Sequence, residues 1–487
     1  MKKNLIFFLA LLFFSVSLFA QGDKQQFTRL DSIFGGNTPQ RAWWDVLHYD
    51  VTVTPDFSTK TIKGKTTIRY KVISDNPHPY LQIDLQAPMQ IDSIYYNGTF
   101  IDRTNPKNSY NQGPHYFILL PKAKKDNGAT LTMVVPEALS GVGNGRLKST
   151  VSANGKKSFT WEVASPINTY NIIPYIGHYT QWKDTLTGEA GKLDLTYWVL
   201  DYEEEKAKKQ FEQVKPTLRS FEHWFGPYPF YKDGYQLIQS PYLGMEHQSA
   251  VAYGNGFKNG YLGSDLSGTG WGLKWDYIIV HETGHEWFGN NITAKDRADM
   301  WVHESFTTYS EPLYIESRWG KESANAYIQG LRKNIVADRP IQGQFGVRNE
   351  GSSDMYFKGA NIIHTLRQVL DDDNQFRRIL RGLNKEYYHK TVSGKEVENY
   401  IATQSGKDLR KFFDQYLRTV KIPRFEYRQK GNSVTYRWSH VVPGFNMSIK
   451  LDDGTWLTPV TDWKTTKLKN GQSISVDKNF YINLKKL

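Results

Sequence analysis

The stretch KWDYIIVHETGHEWFG, residues 274–289, constrains the fold more than any other part of the chain. Its spacing predicts a helix, and the apolar YIIV before the first histidine and WF after the second predict one that is buried. His281 and His285 stand at i and i+4, so their rings lie on one face about one turn apart. A buried imidazole pair with no partner is costly, and a tetrahedral metal that takes both nitrogens removes the cost. Glu282 lies beside the pair, within reach of a water on such a metal. Gly284 is a local expense, about 1 kcal/mol of helix stability against Ala. Any fold for this chain must therefore wrap other elements around this segment.

A catalytic zinc takes three protein ligands and leaves a position for water. The chain has no Cys, so the third must be a histidine or a carboxylate. Glu304, nineteen residues past His285 in ADMWVHESFTTY, is the candidate. Asp299 is placed to N-cap that second helix, with Glu304 in its second turn. His303 is adjacent but points roughly 100° away around the helix, so it and Glu304 cannot both face the metal.

The remaining chain divides by periodicity. LHYDVTVTPD, TIKGKTTIRYKVI, YLQIDLQ, IDSIYYNG, ATLTMVV, SFTWEV and KLDLTYWVL alternate apolar and polar residues, which predicts an N-terminal antiparallel β domain over 40–200. From 201 to 422 the pattern is mostly helical. It opens with the charged run DYEEEKAKKQFEQVKPTLRSFEHWFG around Pro216, turns at FGPYPF, and includes one strand, YQLIQSP. Ser393 and Glu396 form a capping box that starts a helix. After KIPRF the period returns to two in SVTYRW, FNMSIKL, SISV and FYINL, predicting a small C-terminal β-sandwich over 423–487. The fold class expected is multidomain α+β.

Lys2, Lys3 and the apolar run Leu5–Leu18 predict a signal peptide over residues 1–20, cut before Gln21. That run of about 14 residues is short for a bilayer, which needs roughly 20, so no stable membrane anchor is expected after cleavage. An exported chain without Cys suits a bacterial periplasm or exterior. The net charge of +12 invites a nucleic-acid reading. The basic residues are scattered, however, with the tightest groups at Lys122–Lys125, Lys206–Lys209 and Lys485–Lys486, so no nucleic-acid partner is expected. Nothing in the sequence sets an oligomeric state.

Taken together, HETGHEWFGN…MWVHESFTTYSE resembles the signature of the zinc aminopeptidases of peptidase family M1. Further landmarks fall in the family's order: FGPYPF, then YLGMEHQS, the histidine helix, DMYFKGANIIHTLRQVL and SGKDLRKFFDQYL. The resemblance implies a thermolysin-like catalytic domain with one Zn2+ per chain on His281, His285 and Glu304. It implies that Glu282 takes a proton from the attacking water, whose pKa zinc brings to about 7. It assigns Tyr356, in Tyr-x-Lys-Gly, to the developing oxyanion. It assigns Glu246, with Gly244 and Met245, to the free α-ammonium of a peptide substrate. Leu243 and His247 depart from the family's Gly-x-Met-Glu-Asn pattern. His247 could bring positive charge near Glu246 or simply hydrogen-bond the turn. The edge of strand YQLIQSPYLGMEH could carry the substrate backbone. The N-terminal domain is short and lacks the family's Pro-Cys-x-Asp-Glu-Pro-like stretch. Two other readings fit the same residues: a zinc endopeptidase with no need of a free amine, and a peptide-binding protein that keeps the metal with little turnover.

Overall fold

The computed structural model describes residues 26–75, 77–119, 128–469 and 472–487. The expected signal peptide and the basic group Lys122–Lys125 lie outside the described residues. No helix among the described residues is long and apolar enough to cross a membrane.

A five-stranded sheet opens the chain, in the order Arg146–Ala153, Lys156–Val163, Gly128–Pro136, Trp44–Asp56, Thr61–Val72. Its pairs are antiparallel with one exception: Trp44–Asp56 runs parallel to Gly128–Pro136, His48 opposite Gly128 and Val53 opposite Met133. The expectation of an all-antiparallel domain is corrected at this point. Between the two strands the chain builds a separate three-stranded sheet from Tyr80–Asp84, His115–Leu119 and Ser109–Gln112. That excursion is long enough to return the chain in the same direction, which a tight hairpin cannot do.

A second five-stranded sheet has the order Tyr179–Gly188, Gly191–Leu200, Tyr235–Gln239, Val251–Tyr253, Gly244–Met245. The change of texture at residue 200 does not interrupt it. Leu195 pairs with Tyr235 and Trp198 with Ile238, in parallel, across that position. Period-two alternation explains how one sheet serves two layers. Trp198, Ile238 and Ala252 face the first sheet and share a core with Leu131, Met133 and Trp161. Leu195, Tyr197, Leu237, Val251 and Tyr253 face the opposite way, into the helices.

The helical layer begins with two helices, Glu204–Phe211 and Val214–Phe225. Pro216 sits in the first turn of the second, where its missing N–H leaves no bond unmade. The capping box predicted at Ser393 and Glu396 is present at the head of helix Gly394–Ser405. The C-terminal region is a four-stranded sheet, Lys464–Lys467, Ser433–Ser439, Arg424–Lys430, Asn483–Lys486, and among the described residues its second layer is the ladder Ile449–Lys450 with Trp456–Leu457. SISV contributes no strand, only a single bridge from Val476 to Leu451. Phe425, Trp438 and Tyr481 of this region belong to the same core as the helices. Buried Tyr416 donates to the carbonyl of Tyr481 at 2.7 Å.

Candidate metal centre

Helix Tyr277–Gly284 is buried at every residue, as its apolar flanks predict. Asp276 caps it, accepting from the N–H groups of Ile278 and Ile279. The helix closes one turn earlier than predicted. His285 is its C-cap but keeps helical φ and ψ of −63° and −19°, so the i, i+4 relation survives and the two rings lie 5.0 Å apart. Gly284 has a packing reason: a Cβ there would stand 2.7 Å from Ser310 Oγ and 3.2 Å from Thr307 Cγ2 of helix Trp301–Trp319. The glycine lets the two ligand-bearing helices touch.

Glu304 lies in the first turn of Trp301–Trp319, not the second. Asp299 does not cap that helix. The chain enters through the 3-10 turn Arg297–Asp299, itself capped by Asp296, and runs into the α-helix with Met300 already helical. Asp299 instead accepts from the N–H of Gly394 at 2.7 Å and from Gln342 Nε2 at 2.8 Å, tying neighbouring segments to the site. His303 faces away as expected, its Nε2 accepting from the N–H of Ala294 at 2.8 Å.

His281, His285 and Glu304 offer ligand atoms that all lie within 4.8 Å of one another. Glu304 Oε2 is 3.7 Å from His281 Nε2 and 3.4 Å from His285 Nε2. The far side of each ring is occupied. His281 Nδ1 lies 2.9 Å from Glu311 Oε1, and Tyr327 donates to the other oxygen of Glu311 at 2.7 Å. His285 Nδ1 lies 3.0 Å from the carbonyl of Phe288. A carboxylate and a carbonyl can only accept, so each Nδ1 carries a proton and each neutral ring turns an Nε2 lone pair inward. Glu304 Oε2 is buried with no hydrogen-bond partner. Two imidazole nitrogens facing one orphaned carboxylate oxygen fit the donor set of zinc. Burial alone would raise the Glu304 carboxyl; positive charge at His285 and His281, where a metal cation would stand between the neutral rings, outweighs it and holds it well below the usual range.

A second group overlaps the first: Glu246, Glu282 and His285 also lie within 4.8 Å of one another. Burial pushes the Glu282 carboxyl up to about 7, against the pull of the His281 and His285 imidazoles. A carboxyl poised there takes and returns a proton near neutrality. Gly244 runs directly over it: a Cβ would meet Glu282 Oε1 at 2.7 Å and Ile278 Cγ2 at 2.9 Å. Gly244 and Met245 form the last strand of the second sheet, paired on one side only. The strand predicted across YQLIQSPYLGMEH is therefore two strands, with Tyr235–Gln239 inside the sheet and only Gly244–Met245 open to an incoming backbone.

Glu246 follows that edge strand and is 8% exposed. Asn290 Nδ2 donates to its backbone carbonyl at 2.7 Å, and Tyr170 donates to its Oε1 at 3.1 Å. His247 Nε2 lies 3.2 Å from the Tyr242 hydroxyl. Burial pushes its pKa down to about 4, so His247 is neutral and brings no positive charge to Glu246. Tyr356 stands at the head of helix Phe357–Leu370, its ring 6.1 Å from that of His281. Burial, then the negative charge of Glu304, raises its phenol, which keeps it a donor. Ser305, next to Glu304, donates to the carbonyl of Met355 at 2.8 Å. Gly359 makes the approach possible, since a Cβ there would come within 2.7 Å of Ser305 Cβ. The neighbouring Lys358 is buried and donates to the carbonyl of Thr419 at 2.7 Å.

The structure brings His281, His285, Glu304, Glu282, Glu246, Gly244 and Tyr356 together, while the Met245 side chain packs against the core shared with the first sheet. Sequence reasoning missed the supports. Glu311 lies seven residues past Glu304 on the same helix, a spacing that could have flagged it. Tyr170 and Asn171, in the turn Thr169–Asn171, sit in a stretch without periodicity that gave no signal.

Residues 209–416 match the Peptidase family M1 domain. A leucyl aminopeptidase of Saccharolobus solfataricus is 22% identical over 320 residues, covering 63% of this chain and 40% of the relative. Mitochondrial aminopeptidase 2 of Saccharomyces cerevisiae is 22% identical over 439 residues, 87% of this chain and 44% of its own length. The chain thus spans less than half the length of these curated relatives. Among solved structures, the M1 zinc metallopeptidase of Deinococcus radiodurans aligns with a TM-score of 0.63 at 19% identity, covering 81% of this chain and 98% of that one. Legionella pneumophila aminopeptidase A in complex with aspartic acid aligns with a TM-score of 0.73 at 15% identity, covering 91% and 60%. The helical layer that carries His281, His285 and Glu304 is thus the part of the chain that matches the Peptidase family M1 domain.

Proposed function

We propose that the protein is a zinc metallo-aminopeptidase that hydrolyses N-terminal residues from peptides. The observation that carries this reading is the carboxylate of Glu246 within 4.8 Å of the groups of Glu282 and His285. A fixed anion beside the proton-transferring carboxylate and a metal-binding imidazole is where a substrate's α-ammonium would sit, which limits cleavage to the first peptide bond. A zinc ion held by His281, His285 and Glu304 would supply Lewis acidity and an acidified water. Glu282 takes the proton from the attacking water and returns it to the departing amine. Tyr356 donates its hydroxyl to the carbonyl oxygen as charge develops there. Gly244 and Met245 offer backbone groups to an extended substrate, adding it as a further strand. Glu246 holds the amine.

The test is one peptide in two forms, with a free and an acetylated N-terminus. The free form is expected to be cleaved at least about 100-fold more efficiently, given ~3 kcal/mol for a charge-assisted contact. Equal rates would make the protein an endopeptidase on the same metal. Hydrolysis unchanged in Glu282→Gln would mean the activity belongs elsewhere and leave a peptide-binding role. Lys2, Lys3 and the apolar run Leu5–Leu18 support export to a bacterial periplasm or exterior as the setting. N-terminal sequencing of protein recovered outside the cytoplasm checks this, with Gln21 the expected first residue.

A further inference from the structure

The turn at 168–171 comes from the N-terminal half of the chain, yet it bonds to three parts of the site. Asn168 Nδ2 donates to the Gly289 carbonyl at 3.3 Å and to Thr293 Oγ1 at 3.0 Å. Asn171 donates to Asn290 Oδ1 at 2.6 Å, and Asn290 in turn holds the backbone carbonyl of Glu246. Tyr170, between them, donates to the Glu246 carboxylate itself. One short turn therefore grips Glu246 at both its backbone and its side chain.

We propose that Tyr170 is a positioning residue that fixes the Glu246 carboxylate for the substrate's α-ammonium, which makes the turn at 168–171 the specificity-determining part of the N-terminal region. This rests on the reading of Glu246 as the amine anchor. The last torsion of a glutamate side chain is broad and roughly two-fold, so an unsupported carboxylate samples many planes. A hydroxyl held on Oε1 selects one plane and leaves the other oxygen for the incoming cation. A phenol does this without adding positive charge, whereas a lysine or arginine there would neutralise the anion. His247, the other polar neighbour in sequence, is neutral and bonded to Tyr242. Tyr170 is 43% exposed, so its hydroxyl can be removed without opening a core cavity.

The experiment compares the full chain with Tyr170→Phe and, separately, Glu246→Ala, on the free and acetylated forms of one peptide. Zinc content and melting temperature are measured alongside. For Tyr170→Phe, KM for the free form is expected to rise about 10-fold with kcat within about 3-fold, the pattern of lost ground-state binding. The acetylated form should be unaffected, and zinc content and melting temperature unchanged. If Tyr170→Phe leaves KM unchanged while Glu246→Ala abolishes the preference for a free amine, the positioning role is wrong and the aminopeptidase reading stands. If Tyr170→Phe lowers the rates on both peptides equally, or loses zinc, the residue is merely structural and the proposal falls. If Glu246→Ala itself leaves the preference intact, the amine anchor is misassigned and both readings fall.

Discussion

His281, His285 and Glu304 stand on two helices that touch at Gly284, and the brace behind His281 comes from one of those same helices, at Glu311. Glu246 stands at the end of a two-residue edge strand, steadied by a turn 76 residues earlier in the chain. The metal wall is therefore built from residues close in sequence, on helices buried throughout the turns that carry them. The amine wall is assembled across the interface between two layers. Damage to the first should reach turnover and metal retention; damage to the second should reach binding of the substrate.

The sharpest way to break this comparison is at Glu282, which both walls share. Glu282→Gln is expected to lower kcat by about 10²–10⁴-fold while zinc content, measured by elemental analysis, stays full. Gly359→Ala should cost about 10²-fold in kcat, because its Cβ would crowd Ser305 and displace the segment that carries Tyr356. Zinc content measured alongside separates displacement of Tyr356, which leaves the metal in place, from displacement of Glu304, the ligand beside Ser305. Glu311→Ala removes the acceptor behind His281 and should weaken zinc binding about 10–100-fold in chelator competition, with activity recovered in excess zinc. Ser393→Ala touches neither wall and should cost about 1 kcal/mol of stability with unchanged kinetics of the folded protein.

The last variant also has a pH signature. The N–H of Ser393, followed by the side chain of Lys295, draws the Glu396 carboxyl down from its ordinary 4.5 to about 2. A lowered carboxyl stabilises the fold above its unfolded value, and that share is lost as pH falls from about 4.5 to about 2. Ser393→Ala keeps both of these and removes only the hydroxyl's bond to the carboxylate, so it should flatten the acid arm of a melting-temperature profile over that window slightly, and Glu396→Gln should flatten it fully.

The metal wall was legible because its signals are local. An i, i+4 histidine pair in apolar flanks and a glutamate on the next helix are visible without knowing the tertiary fold. The capping box at Ser393 was readable for the same reason. What failed depended on contacts distant in sequence. Asp299 looks like an N-cap by type and position, but the chain enters its helix through a 3-10 turn, and the carboxylate serves Gly394 and Gln342 instead. The parallel pairing of Trp44–Asp56 with Gly128–Pro136 carries no mark in either strand's alternation, which is the same for both directions. His247 reads as a potential charge until its burial is known. Tyr170 has no periodic neighbours to announce it.

The sheet that runs past residue 200 bears on how this protein could be divided or recombined. A fragment begun at the helical layer would lose Gly191–Leu200 and leave Tyr235–Gln239 with one ladder of N–H and C=O groups unpaired. Four of that strand's five residues are buried, so the exposed edge would be flat, apolar and open to pairing with other chains. The smallest transplantable unit therefore begins upstream of Tyr179. A chimera joined at the visible change of texture would be expected to aggregate, whereas one joined before the hairpin Tyr179–Leu200 would carry its edge protection with it.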